Sequence, residues 1–355
     1  MSRKGIQATG LALLLLWSSE IAGQQALPFA SVMFYNLENL YDTKDDSLKR
    51  DEEFMPDGDR HWSGYRFYQK LTAISKVIAN TGNWEPPAVI GFCEAENREV
   101  LEQLVNHPIL KPYHYAIIHK DSPDKRGIDV AAIYRPAVFN PLSYRYFSPV
   151  PADEPVPDTR EILYLCGTLG QPGSPGDTLH LFFNHWPSRY GGLMETRPMR
   201  LKAAARLKTE IQLLQQTYHH PLIIITGDFN DQPHDESLLK GLGAAFKPAN
   251  HPDSLVNLSR AWQIKGKGTL KYQSQWNVFD QFIVSEALTD SAGHQVLRKK
   301  FFSLPTDARI LDAPFLLEAD EKFAGSRLRR TYLGFRYQGG FSDHLPVLLM
   351  LRERR

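Results

Sequence analysis

Cysteine is almost absent: the 355 residues hold two, Cys93 and Cys166, each inside an apolar run. That excludes a disulfide-stapled scaffold and a thiolate-built metal centre, and it reads as two buried free thiols, although an oxidising compartment would permit a bridge. A surplus of one charge sign is missing too, with Lys+Arg 41 against Asp+Glu 40. Tight, non-specific binding to long nucleic acid rests on a strong basic excess, so composition argues against it while leaving room for a local basic groove. Long apolar runs are lacking as well, and the one stretch that invites a membrane or export reading is Leu11-Ala12-Leu13-Leu14-Leu15-Leu16-Trp17. It follows Arg3 and Lys4 and precedes Ala22 and Gly23, the order of a secretory signal, and it is short for a membrane span. The expectation is a signal peptide over 1–23, a single working domain over 24–355, and a secreted or periplasmic protein. With 23% charged and 42% apolar residues, the remainder has ordinary globular composition and length enough for a large core.

What the chain does have is a series of apolar strands that stop in polar groups. The plainest is Leu222-Ile223-Ile224-Ile225-Thr226-Gly227-Asp228-Phe229-Asn230-Asp231. A β-branched run of this kind reads as a strand buried on both faces, broken at Gly227 where the polar residues begin. If extension persists, Asp228 and Asn230 project to one side, a carboxylate and an amide placed to hold water or an anion beside a cation. An Asx-rich turn closing a core strand would have the same appearance. Four other segments that end alike shift the balance towards a site.

Taken in chain order, Phe29 to Tyr35 runs into Asn36-Leu37-Glu38-Asn39, and Ala88 to Cys93 ends on Glu94. Ile162 to Leu169 and Thr178 to Phe183 read as a hairpin whose second arm ends at Asn184-His185-Trp186-Pro187-Ser188-Arg189. Gln275 to Ser285 carries Asp280 as its one acid, costly if buried unless paired. The available partner is His344, in Gly339-Gly340-Phe341-Ser342-Asp343-His344-Leu345-Pro346, ahead of a closing strand. Helical spacing predicts helices over 68–79, after Glu96-Asn97-Arg98, and over 195–218. Asp42 to Arg66 is a charged excursion with Phe54, Trp62 and Tyr65, as readily a solvated insertion as a lid or substrate loop. Asp129, in an apolar strand, is either an exposed alternate position or a site residue. Arg298 to Lys300 and Arg327 to Arg330 read as solvated basic faces.

The inventory of Asn36, Glu38, Glu94, His185, Asp228, Asn230, Asp280, Asp343 and His344 is rich in oxygen donors and contains no sulfur. Such a set favours a hard ion, Mg²⁺, Mn²⁺ or Ca²⁺, over zinc. A carboxylate-held ion beside two histidines and an arginine suits hydrolysis at phosphorus, the cations bearing oxyanion charge while a carboxylate or imidazole directs water.

In this order the motifs resemble the endonuclease/exonuclease/phosphatase superfamily, the DNase I-like group that includes pancreatic-type DNase, abasic-site endonucleases, neutral sphingomyelinases and inositol polyphosphate 5-phosphatases. The resemblance covers about 29–352: strand-Asn-x-Glu, strand-Glu, strand-Asn-His, Gly-Asp-x-Asn, a late-strand Asp, and Ser-Asp-His-x-Pro. It implies a four-layer α/β sandwich of two face-to-face mixed β-sheets flanked by helices, with the site at one rim. It implies that Glu94 is the principal metal ligand with Asn36, Glu38 and Asp343 near the ion. Asp228 would orient or deprotonate water, Asn230 would hold phosphate, His344 braced by Asp280 would serve as base or phosphate donor, and His185 would meet the phosphate or leaving oxygen. Asn184 and Arg189 are the expected substrate-binding residues. Two features depart from the DNA-repair members, the Trp186-Pro187 insertion and the excursion over 42–66. The expected activity is a metal-dependent phosphodiester hydrolase, most simply a nuclease acting on nucleic acid. A phosphatase or lipid or inositol phosphodiesterase is the alternative and a non-catalytic binding module the third; no stable membrane insertion is expected, and the sequence gives no ground to infer a protein partner.

Overall fold

A computed structural model describes residues 28–81, 85–151, 153–155, 158–170, 177–289 and 300–353. The expected signal segment and residues 171–176 of the hairpin turn lie outside the described residues.

Two sheets of seven strands each make the centre of the fold. In the first, Pro28–Leu40 lies between Val89–Ala95, to which it is parallel, and the antiparallel closing strand Val347–Glu353. Asp129–Tyr134 and then Ala116–Ile118 continue it on one side. The second sheet runs Phe139–Phe147, Ile162–Leu169, Thr178–His185, Leu222–Asp228, Asp280–Ser285, Leu255–Asn257 and Ala244–Ala245. Thr178–His185 and Leu222–Asp228 are parallel there, as are Pro28–Leu40 and Val89–Ala95 in the first sheet. Each sheet thus sends the carboxyl ends of a central parallel pair to an edge where polar groups collect.

Burial shows why the apolar runs are continuous. Leu222 and Ile224 face the core between the sheets, while Ile223 and Ile225 pack against Ala203, Leu207 and Ile211 of the outer helix Leu193–Thr217. A strand covered on both faces needs no polar alternation. The sheets approach closely: a Cβ on Gly91 would come within 2.0 Å of the Phe183 ring. Helices Gly64–Ala79, capped by the Ser63 side chain, and Arg98–Val105, capped by Asn97, contribute Leu71, Ile74, Leu101 and Leu104 to the main core. The fold is the expected α/β sandwich.

Two local expectations change. The segment over 275–285 is two strands, Gln275–Asn277 in a hairpin with Leu270–Tyr272, and Asp280–Ser285 in the main sheet. The excursion over 42–66 is anchored by its aromatics: Phe54 stacks on Tyr41 at 4.3 Å, and fully buried Trp62 donates from Nε1 to the Tyr41 carbonyl at 2.9 Å. No helix among the described residues is long and apolar enough to cross a membrane.

Candidate active site

Strand register assembles the site. His185 lies opposite Asp228, and Asp228 opposite Asp280, within the second sheet. Across the sandwich, Asn36 Nδ2 is 3.2 Å from Glu94 Oε1 and 3.3 Å from Asp228 Oδ2, so one amide joins a carboxylate from each sheet. His185 Nε2 stands 3.8 Å from Glu94 and 3.9 Å from Asp228, and His344 Nε2 is 3.8 Å from Asp228. His344 Nδ1 and Asp280 Oδ2 are 2.7 Å apart, the pairing expected for that buried acid, while Asp280 Oδ1 is buried with no hydrogen-bond partner. The structure therefore brings Asn36, Glu94, His185, Asp228, Asp280 and His344 together at one rim.

The backbone turns sharply where these strands end. Glu38, Asn39, Glu94 and Asn230 all have positive φ, 50°, 57°, 62° and 50°. Residues other than glycine adopt this region at a cost, and such strain gathers at functional sites. The Asn39 N–H donates to Glu94 Oε2 at 3.0 Å and the Asn230 N–H to Asp228 Oδ1 at 2.9 Å, so both turns orient a carboxylate.

The two imidazoles are driven to opposite protonation states. Burial disfavours the His344 cation, but Asp280 and Asp228 outweigh it and hold the group well above the ordinary histidine range. Burial pushes His185 well below that range, with the positive charges of Arg160 and Arg126 adding to it. Arg160 Nε donates to His185 Nδ1 at 3.2 Å. That bond assigns the remaining ring proton to Nε2, the nitrogen facing Glu94 and Asp228. Burial, assisted by Asp280, lifts the Asp228 carboxyl to about 7 against the pull of His344 and the Asn230 N–H. A cationic donor, a neutral donor and a carboxyl poised near neutrality thus share one rim.

Beside them lies a second acidic group of another kind. Glu38 accepts from Arg330 Nε at 3.0 Å and the Thr331 N–H at 2.6 Å, with Lys70 Nζ at 3.9 Å, and Arg330 also donates to Asp343 at 2.9 Å. Glu38 is the residue expected beside the ion, and in the structure each of its oxygens accepts one protein donor.

Asn184 also sits elsewhere than a substrate-binding residue would. It is fully buried, donating to the Phe182 and Thr226 carbonyls and accepting from Trp186 Nε1 at 3.1 Å. Trp186 packs edge-on against Phe229, so the Trp-Pro insertion is an internal brace. Arg189 is held by the Asn230 carbonyl, Asp231 and Asp235, with its guanidinium 4.7 Å from the Phe279 ring centroid. It supports the Asn230 loop. Asn230 Nδ2 donates to the Trp186 carbonyl. Asp129 is buried between His119 Nε2 and the Ser122 N–H. With His119 and Asp121 it forms a group whose potential ligand atoms lie within 4.8 Å of one another, and Asp129 itself lies opposite Ala95, the residue after Glu94.

Three participants went unnoticed in the sequence. Lys70 falls on the apolar stripe of its helix between Phe67 and Ile74, a misplaced charge that could have signalled it. Arg330 lies in the cluster Arg327 to Arg330, whose composition reads as a solvated basic face. Arg160, whose other nitrogens reach Asp124 and the Trp186 carbonyl, carries no local sequence signal.

A hard divalent ion is compatible with the rim. Among the described residues, no Lys or Arg nitrogen lies within 4.0 Å of Glu94, Asp228 or Asp280, whose cationic or protonatable neighbours within that distance are the imidazoles of His185 and His344. The donors there are oxygen and nitrogen.

Residues 31–353 match the profile described as the Endonuclease/Exonuclease/phosphatase family. No curated protein matches the sequence. Among solved structures, an endonuclease/exonuclease/phosphatase family protein of Bacteroides thetaiotaomicron is similar at 14% identity and TM-score 0.52, covering 93% of this chain and 100% of that one. A mannosyl-6-phosphatase of the same organism shares 14% identity at TM-score 0.53, over 91% of this chain and 99% of its own. TDP2 of D. rerio, solved with a single-strand DNA product, shares 15% identity at TM-score 0.52, over 91% and 98%.

Proposed function

From the premise that this chain belongs to the endonuclease/exonuclease/phosphatase family, we propose that its rim site is a divalent-metal-dependent phosphoester hydrolase. The observation that carries this reading is the carboxylate pair of half-buried Glu94 and buried Asp228, joined by the Asn36 amide and faced by His185 and His344. Glu94 would hold the ion, with Asp343 and Asn36 beside it. Bound there, a divalent ion supplies Lewis-acid charge to a phosphoryl oxygen. Asp228 takes the proton of the attacking water, a role suited to a carboxyl near 7. His344, kept cationic by Asp280, donates to the phosphoryl group, and neutral His185 donates from Nε2 to a phosphoryl or leaving oxygen. Asn230 and Arg189 fix the loop that orients Asp228. We read the ion as Mg²⁺ or Mn²⁺, with Ca²⁺ the other hard candidate, and the protein as exported on its N-terminal sequence.

Nucleic acid phosphodiesters are the first substrates to test. The near-neutral charge favours the second class, small or lipid-borne phosphoesters. A panel of single- and double-stranded DNA, RNA, bis-p-nitrophenyl phosphate, sphingomyelin, and sugar and inositol phosphates with Mg²⁺ separates them. Hydrolysis of at least one, abolished in Asp228→Asn, is the expected result. No hydrolysis across the panel with Mg²⁺ or Mn²⁺ would overturn the reading.

A further inference from the structure

A cavity of about 450 Å³ opens directly beside the rim, and Asp343 and Arg330 are part of its lining. Its walls include residues of two hairpins that stand outside the main sheets, Leu270–Tyr272 with Gln275–Asn277 and Leu317–Ala319 with Ser326–Leu328. Four cations line it, Lys271, Lys322, Arg327 and Arg330, against the carboxylates of Asp320 and Asp343. Glu318 and Glu38 answer Arg327 and Arg330 from outside the lining, so the positive excess at the cavity rests on Lys322. Lys271 is buried and matched by Asp320 at 2.6 Å, which makes it a structural pair. Lys322 is exposed and has no carboxylate within 4.0 Å among the described residues. Arg327 pairs with Glu318, itself 40% exposed, and half-exposed Arg330 spans Glu38 and Asp343. Tyr272, 68% exposed, and Phe323 add aromatic surface.

We propose that this cavity is the subsite for the part of the substrate beyond the scissile phosphate, and that it takes a ring-sized group carrying a second anion. The volume lies in the range of small-ligand sites. Lys322 and Arg327 supply charge for a phosphate, and the aromatics supply a face for a sugar or base ring. Its position beside the reacting phosphate rests on the hydrolase reading; its ligand chemistry rests on the cavity alone. A second phosphate could belong to a sugar bisphosphate or to a nucleotide, and the probes separate the two.

The test compares Lys322→Glu and Arg327→Glu with the parent, both substitutions lying on an exposed hairpin, with Arg327→Lys as the charge-keeping control. The kcat/KM ratio of fructose 1,6-bisphosphate to fructose 6-phosphate, and of thymidine 3′,5′-bisphosphate to thymidine 5′-monophosphate, is measured with Mg²⁺. Binding of both bisphosphates is measured by calorimetry in excess chelator. At least one ratio should fall tenfold or more in each charge reversal, with the matching loss of binding, and Arg327→Lys should restore it. The pair that responds identifies the source of the anion. Hydrolysis with unchanged ratios overturns the subsite and leaves the hydrolase standing. Charge-sensitive binding without turnover of any substrate keeps the cavity as an anion site and overturns the hydrolase. Absence of both overturns the subsite as well.

Discussion

Two sets of buried or half-buried acids lie at the same rim, and the protein treats them oppositely. Glu38 and Asp343 share Arg330, and Glu38 also has Lys70 behind it. Glu94, Asp228 and Asp280 have imidazoles and an amide as side-chain neighbours. The first set is compensated within the chain. Burial raises the Asp343 carboxyl, but Arg330 and His344 bring it below its ordinary range, whereas Asp228 is left at about 7. Isolated buried charge is expensive, and the ion proposed above would offset it for the second set. The comparison separates acids that Lys and Arg of the chain itself compensate from acids that it leaves to imidazoles and an amide.

The largest effect expected from this difference is on turnover. Asp228→Asn keeps the acceptor for the Asn230 N–H but cannot take a proton, and should lower phosphoester hydrolysis by about a thousandfold or more with no loss in thermal midpoint. A variant with parental rate, or one that unfolds, would place Asp228 among the supporting acids.

Stability responds next. Lys70→Met removes the buried ammonium beside Glu38 and its donations to Thr331 Oγ1 and the Phe341 carbonyl, and should cost about 3 kcal/mol in urea denaturation. Burial lowers Lys70 to about 8, with Glu38 and Asp343 limiting the fall. The fold therefore favours its neutral form, so this group penalises the fold below about 8 and the penalty fades as pH rises towards the unfolded value near 10.5. The rise in parental stability across that window should be absent in Lys70→Met. An unchanged pH dependence would contradict the assignment.

A smaller effect sharpens the active set. In Arg160→Gln the His185 ring loses a neighbouring positive charge, so its pKa should rise in the metal-free protein as followed by histidine NMR. Turnover should fall about tenfold, because the tautomer is no longer fixed. An unmoved titration would mean that burial alone sets the state of His185.

The sequence made the strand ends legible because a strand covered on both faces is a continuous apolar run, and the residue that stops it is conspicuous. Glu94, Asp228 and Asp280 were found in this way, and His344 as the partner that a buried acid requires. The pairing of Glu38 with Arg330 was not legible, because the i, i+2 rule assumes an extended backbone and the chain turns left-handed at that residue. Asn184 was misplaced for a related reason: it lies one residue before His185 in the same strand, and its side chain turns into the protein. Lys70, Arg160 and Arg330 meet partners 32, 25 and 292 positions away, distances over which spacing carries no information.

The most direct test of the central claim is hydrolysis of the best panel substrate after the protein is stripped with chelator and titrated with Mg²⁺ or Mn²⁺, for the parent and for Glu94→Gln. The account predicts no turnover in chelator, full recovery on titration in the parent, and a greatly weakened metal requirement curve in Glu94→Gln with the fold intact. Full activity of the parent in excess chelator, or an identical metal titration in the variant, would contradict it.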